Sequence, residues 1–248
     1  APGRELIQDG VTKEILGVRA EQRGRPIYVK ARKAVVLTCG GFENNQEMIR
    51  NYLPGLPYCY TSGTPYNEGD GIKMGQTVGA DLWHMNNYAG PSMALKAPEY
   101  QTTFSMTPLH FGHEPQGGMI VVGPDANRFT DEKLKTRHGK IRKNGQWCPM
   151  PAPCPMFMVF DHALFTCGPL YDMKPVSGWG RIIERYEWSK DNSAELRRGW
   201  IKRAETVAGL AASIGLNPGA LQKTIERWNR ICESGEDPEF GRSKMLVP

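Results

Sequence analysis

The feature that most constrains the fold is an unbroken apolar run, Lys33-Ala-Val-Val-Leu-Thr-Cys39, which stops at Gly40-Gly41-Phe42. A run without polar alternation predicts a strand buried on both faces, as in a sheet covered on each side by helices. Ahead of it, residues 4–8, 15–21 and 27–31 are short β-rich runs. They are separated by Asp9-Gly10 and Arg23-Gly24-Arg25-Pro26, turn signals that predict an antiparallel meander. Behind it the pattern turns helical. Asn45 can cap a helix over 45–53 that stops before Pro54, and a second helix over 70–78 closes at Gly79.

Composition excludes several classes. With 248 residues, 40% hydrophobic and 23% charged, the chain matches ordinary globular usage rather than a disordered chain or coiled coil. Its 28 glycines and 19 prolines make it rich in turns. No stretch approaches the roughly 18 consecutive apolar residues of a spanning helix, and Ala1-Pro2-Gly3-Arg4 lacks the apolar core of a signal peptide, so a soluble chain is expected. The net charge of +5 is mild, and its densest basic stretch runs from Lys133 to Lys143. No helix-turn-helix, zinc-finger or RNA-recognition pattern accompanies it, so nucleic acid is not an expected partner. Cysteines 39, 59, 148, 154, 167 and 232 form no C-x-x-C pair and are expected to be reduced, packed thiols without a metal. The alternative is a pair or metal site of Cys148 and Cys154 with His162, short of the four ligands that a structural site usually has.

Further along, a strand is expected over 119–122, followed by the turn Gly123-Pro124-Asp125. Residues 144–155, with four prolines and two cysteines, read as loop, and 156–160 as the next strand. Helices follow over 195–204, 207–214 and 218–233, the last with Leu221, Ile225, Trp228 and Cys232 on one face.

Two glycine-bearing segments carry the first chemical signal. Thr38-Cys39-Gly40-Gly41 ends the apolar run, where paired glycines let backbone approach a ligand at the carboxyl edge of a sheet; a simple turn is the alternative. Asn67-Glu-Gly-Asp70-Gly71 opens a helix whose first N–H groups could receive an anionic or ribose-bearing group, or Asp70 is simply its N-cap.

In order and spacing these segments, together with Met48-Ile-Arg-Asn-Tyr52, Gly69-Asp-Gly-Ile-Lys-Met74, Val78-Gly-Ala-Asp81, Asn127-Arg-Phe-Thr-Asp-Glu132 and the stretch from Leu216 to Arg242, resemble the flavoprotein subunit family of fumarate reductase and succinate dehydrogenase. That family includes soluble fumarate reductases, urocanate reductase and 3-ketosteroid dehydrogenases. The resemblance covers nearly the whole chain and implies a mixed α+β and α/β fold. Residues 1–88 would be part of a flavin-binding β-sheet domain, and 89–248 an α+β cap (substrate) domain with a helical ending. It also implies FAD in the parent protein, held in part by Thr38, Cys39, Gly40, Gly41, Asp70 and Gly71. The strand, G-x-G-x-x-G turn and helix that cradle the FAD pyrophosphate do not occur in these 248 residues, so the chain is expected to be the middle of a longer enzyme.

The resemblance further implies hydride transfer between flavin and one carbon of an activated C=C bond, with a cap arginine supplying the proton to the other. Arg137 stands close behind the Arg-Phe-Thr-Asp-Glu turn, one residue later than in the simplest family pattern. Arginine is intrinsically a weak acid, and Lys133, Lys135 and His138 offer the positive charge that eases proton release; a solvated basic loop is the alternative. The family's substrate-binding "H-P-T" is replaced by Gly90-Pro91-Ser92, and its "T-E-x-x-R-G" proton path by Phe111-Gly-His113-Glu114. His113 and Glu114 are candidates for a substitute relay. These departures argue against a short dicarboxylate and for a larger unsaturated acid or enone, received by Trp83, Tyr88, Tyr100, Phe104 and Phe111 unless these are core. A tyrosine-based dehydrogenase of the steroid type and a catalytically silent cap or interaction module are the other readings. An electron donor, a haem or flavin domain, would lie elsewhere, and nothing in the residues assigns a compartment. Without the pyrophosphate cradle, the purified 248-residue chain should be colourless; a yellow preparation with stoichiometric flavin absorbance would reject that expectation.

Overall fold

The computed structural model describes residues 2–53, 55–56, 58–61, 63–87, 94–106, 117–133, 139–171, 186–244 and 246–248. It divides into two compact units, Ala1–Pro54 with Pro65–Asn87, and Gly55–Thr64 with Tyr88–Pro248. Its described elements are α-helices and small antiparallel sheets, a mixed α/β composition.

In the first unit, strands β1 (Gly3–Gln8), β2 (Ile15–Gln22) and β3 (Arg25–Lys30) form the expected meander in the order β1-β2-β3. The register pairs Leu6 with Val18 and Val18 with Val29. Alternation turns Leu6 and Ala20 inward, and both are buried. Helix α1 (Gln46–Tyr52) starts as its sequence predicts, with the Asn45 side chain accepting from Met48 N. Helix α2 (Asp70–Thr77) lies near β1, where buried Met74 approaches Gly3 and Gln8 Nε2 donates to Val78 O.

The apolar run 33–39 departs from expectation. It is not a strand, and Val36 and Leu37 are 79% and 40% exposed. A doubly buried strand exists only between two hydrogen-bonded neighbours, and among the described residues none flanks this segment. Among the described residues no strand covers it, and only its end, at Leu37 and Cys39, lies against the first turn of α2.

In the second unit, β4 (Ala94–Leu95) pairs with β5 (Phe104–Ser105), and β6 (Met119–Val122) pairs with β9 (Phe157–Phe160). The stretch assigned to loop after residue 144 is a correction. Strands β7 (Lys140–Lys143) and β8 (Gln146–Pro149) form a hairpin closed by Asn144-Gly145, both at positive φ (49° and 81°). That conformation favours the two-residue turns whose twist matches paired strands.

Helix α3 (His162–Thr166) is capped by Asp161, which accepts from Leu164 N and from Gly118 N. Helix α4 (Ser193–Arg197) is shorter than the 195–204 expected, because Gly199 at φ 74° ends it and Glu195 O accepts from Trp200 N and Ile201 N. Helices α5 (Val207–Ser213) and α6 (Pro218–Ser234) fall where the pattern places them. The buried stripe of α6 is Leu221, Thr224, Trp228 and Ile231; Ile225 and Cys232, expected on that face, are half-buried at its edge.

Two cores result. One gathers Phe104, Met119, Leu164, Leu170 and Tyr171, with the rings of Tyr100, Tyr186, Trp188 and Trp200 packed against it. The other joins Ile120 and Val122 of β6 to Ala211, Leu216, Leu221 and Trp228. The first core closes around two fully buried polar side chains. Glu195 accepts from Tyr186 Oη at 2.6 Å and from Ser189 N at 2.9 Å. Asn192 accepts from Leu170 N and Trp188 Nε1 and donates to Phe165 O and Gly168 O. Burial and the bond to Glu195 push the Tyr186 hydroxyl up to about 12. No described helix is long and apolar enough to cross a membrane.

Asn192→Ala would strand four hydrogen-bond partners, Leu170 N buried and the other three half-buried, and place alanine at φ 59°. We expect a loss of about 3–5 kcal/mol in urea denaturation; a loss under 1 kcal/mol would contradict this account of the core.

Candidate functional site

The two glycine-bearing segments, 26 or more residues apart in the chain, meet in the first unit. Gly69 N donates to Gly41 O at 3.0 Å, and Asn44 N donates to Asn67 O at 3.0 Å. Asn67 Nδ2 donates to Glu43 Oε1 at 2.7 Å, and Asn45 Nδ2 to Glu68 O at 3.1 Å. Gly40 and Gly69 sit at φ 77° and 83°, in the left-handed region. A Cβ at Gly40 would lie 2.5 Å from the Asn67 amide, and one at Gly69 2.6 Å from Met48 Sδ. At Gly71 a Cβ would meet Cys39 Cβ at 3.2 Å, so the Cys39 side chain rests on the first turn of α2. The glycines are thus required by close approach of the two segments to one another.

Asp70 is the first residue of α2 rather than its cap. The cap is Gly69, which offers no side-chain acceptor, so the first N–H groups of the helix are left for another partner. Thr38, Cys39, Gly40 and Asp70 are exposed, and Gly41 and Gly71 half-buried. An uncapped helix start beside an exposed hydroxyl and a glycine backbone suits a phosphate- or ribose-bearing group, so these residues fit a flavin nucleotide. The catalytic candidates Arg137, His138, His113 and Glu114 lie outside the described residues, as do Tyr88, Phe111 and the Gly90-Pro91-Ser92 segment. Of the aromatics, Trp83 is exposed, whereas Phe104 is core with Tyr100 against it.

The charged residues that most shape the second unit were legible only in part. Arg128, within the Asn127–Glu132 turn, donates through Nε and Nη2 to the two oxygens of Glu132, each at 2.9 Å, and through Nη2 to Asp237 Oδ2 at 3.0 Å. Arg242 Nη1 donates to Glu132 Oε2 at 3.0 Å and to Met119 O at 2.8 Å. Glu132 Oε1 also accepts from Val121 N at 3.1 Å. All four side chains are at most 1% exposed. Both guanidinium centres lie over the Trp228 ring, 4.7 and 4.5 Å from its centroid. The motif gave Arg128 and Glu132; nothing in the spacing of Asp237 and Arg242 announced that they complete the cluster, about 110 residues away.

The electrostatics follow from this pairing. Burial alone would lower the Arg128 pKa, but the bonds and charges of Glu132 and Asp237 raise it above the usual range. Arg242 is lowered, chiefly by burial and also by Arg128, with Glu132 opposing. Burial would raise Asp237, yet Arg128 holds it below the usual carboxylate range. The cluster ties β6, the turn and the segment after α6 together.

Among the described residues no group of histidines, cysteines and carboxylates could hold a metal. Cys39, Cys154 and Cys167 are exposed rather than packed, whereas Cys59, Cys148 and Cys232 are half-buried. Cys148 and Cys154 form no disulfide.

The family described as "FAD binding domain" matches residues 2–248. The chain belongs to that family. It is 28% identical over 229 residues to a 3-oxosteroid 1-dehydrogenase of Mycobacterium tuberculosis, covering 90% of this chain and 37% of the relative. It is 24% identical over 235 residues to a probable fumarate reductase of Shewanella frigidimarina, covering 93% of this chain and 34% of the relative. Among solved structures, a 3-ketosteroid delta1-dehydrogenase from Sterolibacterium denitrificans shares the fold with a TM-score of 0.66 at 23% identity, over 97% of this chain and 41% of that one. The chain thus spans well under half the length of the relatives it matches. It falls in a group of flavin-dependent oxidoreductases that includes steroid dehydrogenase and fumarate reductase relatives.

Because Asp237 is depressed in the folded state from its ordinary 3.8, its contribution to stability is full above about pH 4 and is lost as pH falls through the lower folded value. Asp237→Asn removes one of the two buried carboxylates and leaves Arg128 with Glu132 and, at 3.4 Å, the half-exposed Glu239. We expect it to cost about 3 kcal/mol near pH 7 and to flatten the fall in stability below pH 4. Melting curves with an unchanged acid slope would rule this out.

Proposed function

We propose that the parent protein is an FAD-dependent oxidoreductase that reduces, or in reverse forms, a carbon–carbon double bond activated by a neighbouring carbonyl or carboxylate. The observation that carries the reading is the meeting of Thr38–Gly41 with Asp70-Gly71 at an uncapped helix start, in a chain that belongs to the FAD binding domain family. FAD, when bound, supplies hydride transfer to or from carbon.

This chain's own contribution is then twofold. Residues 1–88 serve as part of the flavin-binding domain: the backbone of Gly40 and Gly41, the Thr38 hydroxyl, the Cys39 backbone and the first N–H groups of α2 at Asp70 and Gly71 hold the nucleotide. Residues 89–248 serve as the cap. There the Arg137 guanidinium gives a proton to the carbon that does not receive hydride, and takes it back in the reverse direction. Lys133, Lys135 and His138 surround it in sequence with positive charge, which lowers the cost of releasing that proton. His113 and Glu114 return a proton from solvent to Arg137. Support for Arg137 comes from its place directly behind the turn that the buried Arg128–Glu132 pair anchors. The redox equivalents come from, or go to, a haem or flavin domain or a separate carrier.

A second reading is a ring ketone dehydrogenase in which a tyrosine replaces Arg137 as the acid–base group. It is favoured by the 28% identity to the 3-oxosteroid 1-dehydrogenase. Under the first reading the substrate is an unsaturated acid or enone, and under the second a steroid-like ketone.

Arg137→Ala in the intact parent enzyme separates the two. Loss of a positioned proton donor should lower turnover of an unsaturated acid about 10²–10⁴-fold with flavin content unchanged. Full turnover in the variant, with flavin spectra perturbed by a steroid but not by an enoate, would establish the second reading instead.

A further inference from the structure

The β7–β8 hairpin has no part in the site described above, and its turn carries a reactive pair. Of the eleven asparagines in the chain, Asn144 is the one followed by glycine. An asparagine carboxamide is an electrophile, and the backbone nitrogen of the next residue is placed to close a five-membered ring on its carbonyl carbon. Glycine in that next position puts no Cβ in the path of closure. A Cβ built on Gly145 would meet nothing within 4 Å, so no packed neighbour braces the turn. Among the described residues, no hydrogen bond holds the Asn144 side chain or occupies the Gly145 N–H.

Ring closure requires Asn144 to leave the left-handed conformation it holds, at φ 49°. The hairpin permits this. Its strands have four residues each, and among the described residues they form a sheet of their own without a third strand. A two-stranded ribbon of that size is marginal and opens locally at little cost. Two other sites in the chain show what protection looks like. Asn192 is followed by a small residue, Ser193, but it is fully buried and its carboxamide takes part in four hydrogen bonds. Asp9 precedes Gly10, yet its carboxylate is a poorer electrophile than an amide and is held by Val11 N and Thr12 N.

We propose that Asn144-Gly145 is a site of spontaneous deamidation, which converts Asn144 through a cyclic imide to isoaspartate and aspartate at the hairpin tip. The Gly145 nitrogen gives its proton to hydroxide and bonds to the side-chain carbonyl carbon of Asn144. The carbon–nitrogen bond of the carboxamide breaks, and ammonia leaves with a proton taken from water. Water then opens the imide at either carbonyl. The net change is one water consumed and one ammonia released, with nothing oxidised or reduced. The step is internal to the turn, so it does not depend on what the faces of the hairpin meet. Isoaspartate carries the main chain through the side-chain carbon, which lengthens the two-residue turn and spoils its match to the strand twist. Either product also puts a negative charge into residues 139–150, where Lys140, Arg142 and Lys143 are the charged side chains. The hairpin thus ages in one direction.

The test is incubation of the full 248-residue chain at mildly alkaline pH, followed by isoelectric focusing and by peptide mapping with mass spectrometry. A species one charge more acidic should accumulate, faster at higher pH, with its mass gain in the peptide that holds Asn144 and with isoaspartate detected by an isoaspartyl methyltransferase. In guanidinium chloride both Asn144 and Asn192 should convert. Folding should slow Asn144 no more than about tenfold, because its hairpin opens alone. It should slow Asn192 at least about a thousandfold, because that amide is freed only by unfolding the core. Asn144→Gln, whose longer side chain closes a less favourable six-membered ring, should lose the acidic species, and Asn144→Asp should focus where that species does. An unchanged charge over the time in which the denatured chain converts would overturn the proposal. So would protection of Asn144 equal to that of Asn192, or the same acidic species in Asn144→Gln.

Discussion

Four charged side chains, Arg128, Glu132, Asp237 and Arg242, are buried against one tryptophan, and the second unit depends on that arrangement. Buried ions cost several kcal/mol each in lost hydration, and attraction offsets that cost only when geometry is good and every remaining donor or acceptor is used. Both conditions are approached here. Two cations face two anions, the Arg128–Glu132 contact is bidentate, and the spare capacity of Glu132 and Arg242 is taken up by Val121 N and Met119 O. The carboxylates and guanidinium groups therefore act as a rivet through β6. A hydrophobic plug of similar volume could bury as much surface, but it would not dictate which segments meet.

The glycine-bearing segments of the first unit show a different economy. Each glycine is explained by a neighbour in the same chain, Gly40 by Asn67, Gly69 by Met48 and Gly71 by Cys39. Close packing of the Thr38–Gly41 segment on a helix start thus leaves Gly40 exposed and the helix without a side-chain cap.

Local signals were legible, and long-range ones were not. The meander, the Asn45 cap and the two C-terminal helices follow from turn residues, capping side chains and period, all readable within a few residues. The apolar run 33–39 misled because a doubly buried strand is defined by its neighbours, which no pattern within the run can supply. The hairpin at 140–149 was readable from Asn144-Gly145 but masked by the proline-rich sequence after it. The 195–204 helix failed at Gly199, where a left-handed residue ended it despite the helix-forming residues beyond. Asp237 and Arg242 could not be placed, since an ion pair across 110 residues has no local signature. For the same reason Phe104 and Tyr100 read equally well as substrate contacts and as core.

The distance in sequence between the two halves of the buried cluster also sets an order of events. Arg128 and Glu132 leave the ribosome about 110 residues ahead of Asp237 and Arg242, which at roughly 5–20 residues per second is an interval of about 5–20 seconds. During that interval the Arg128–Glu132 pair is already matched, but Arg128 lacks Asp237 and Glu132 lacks Arg242. The arrival of the segment after α6 therefore completes the charge balance of a cluster whose first pair is made much earlier.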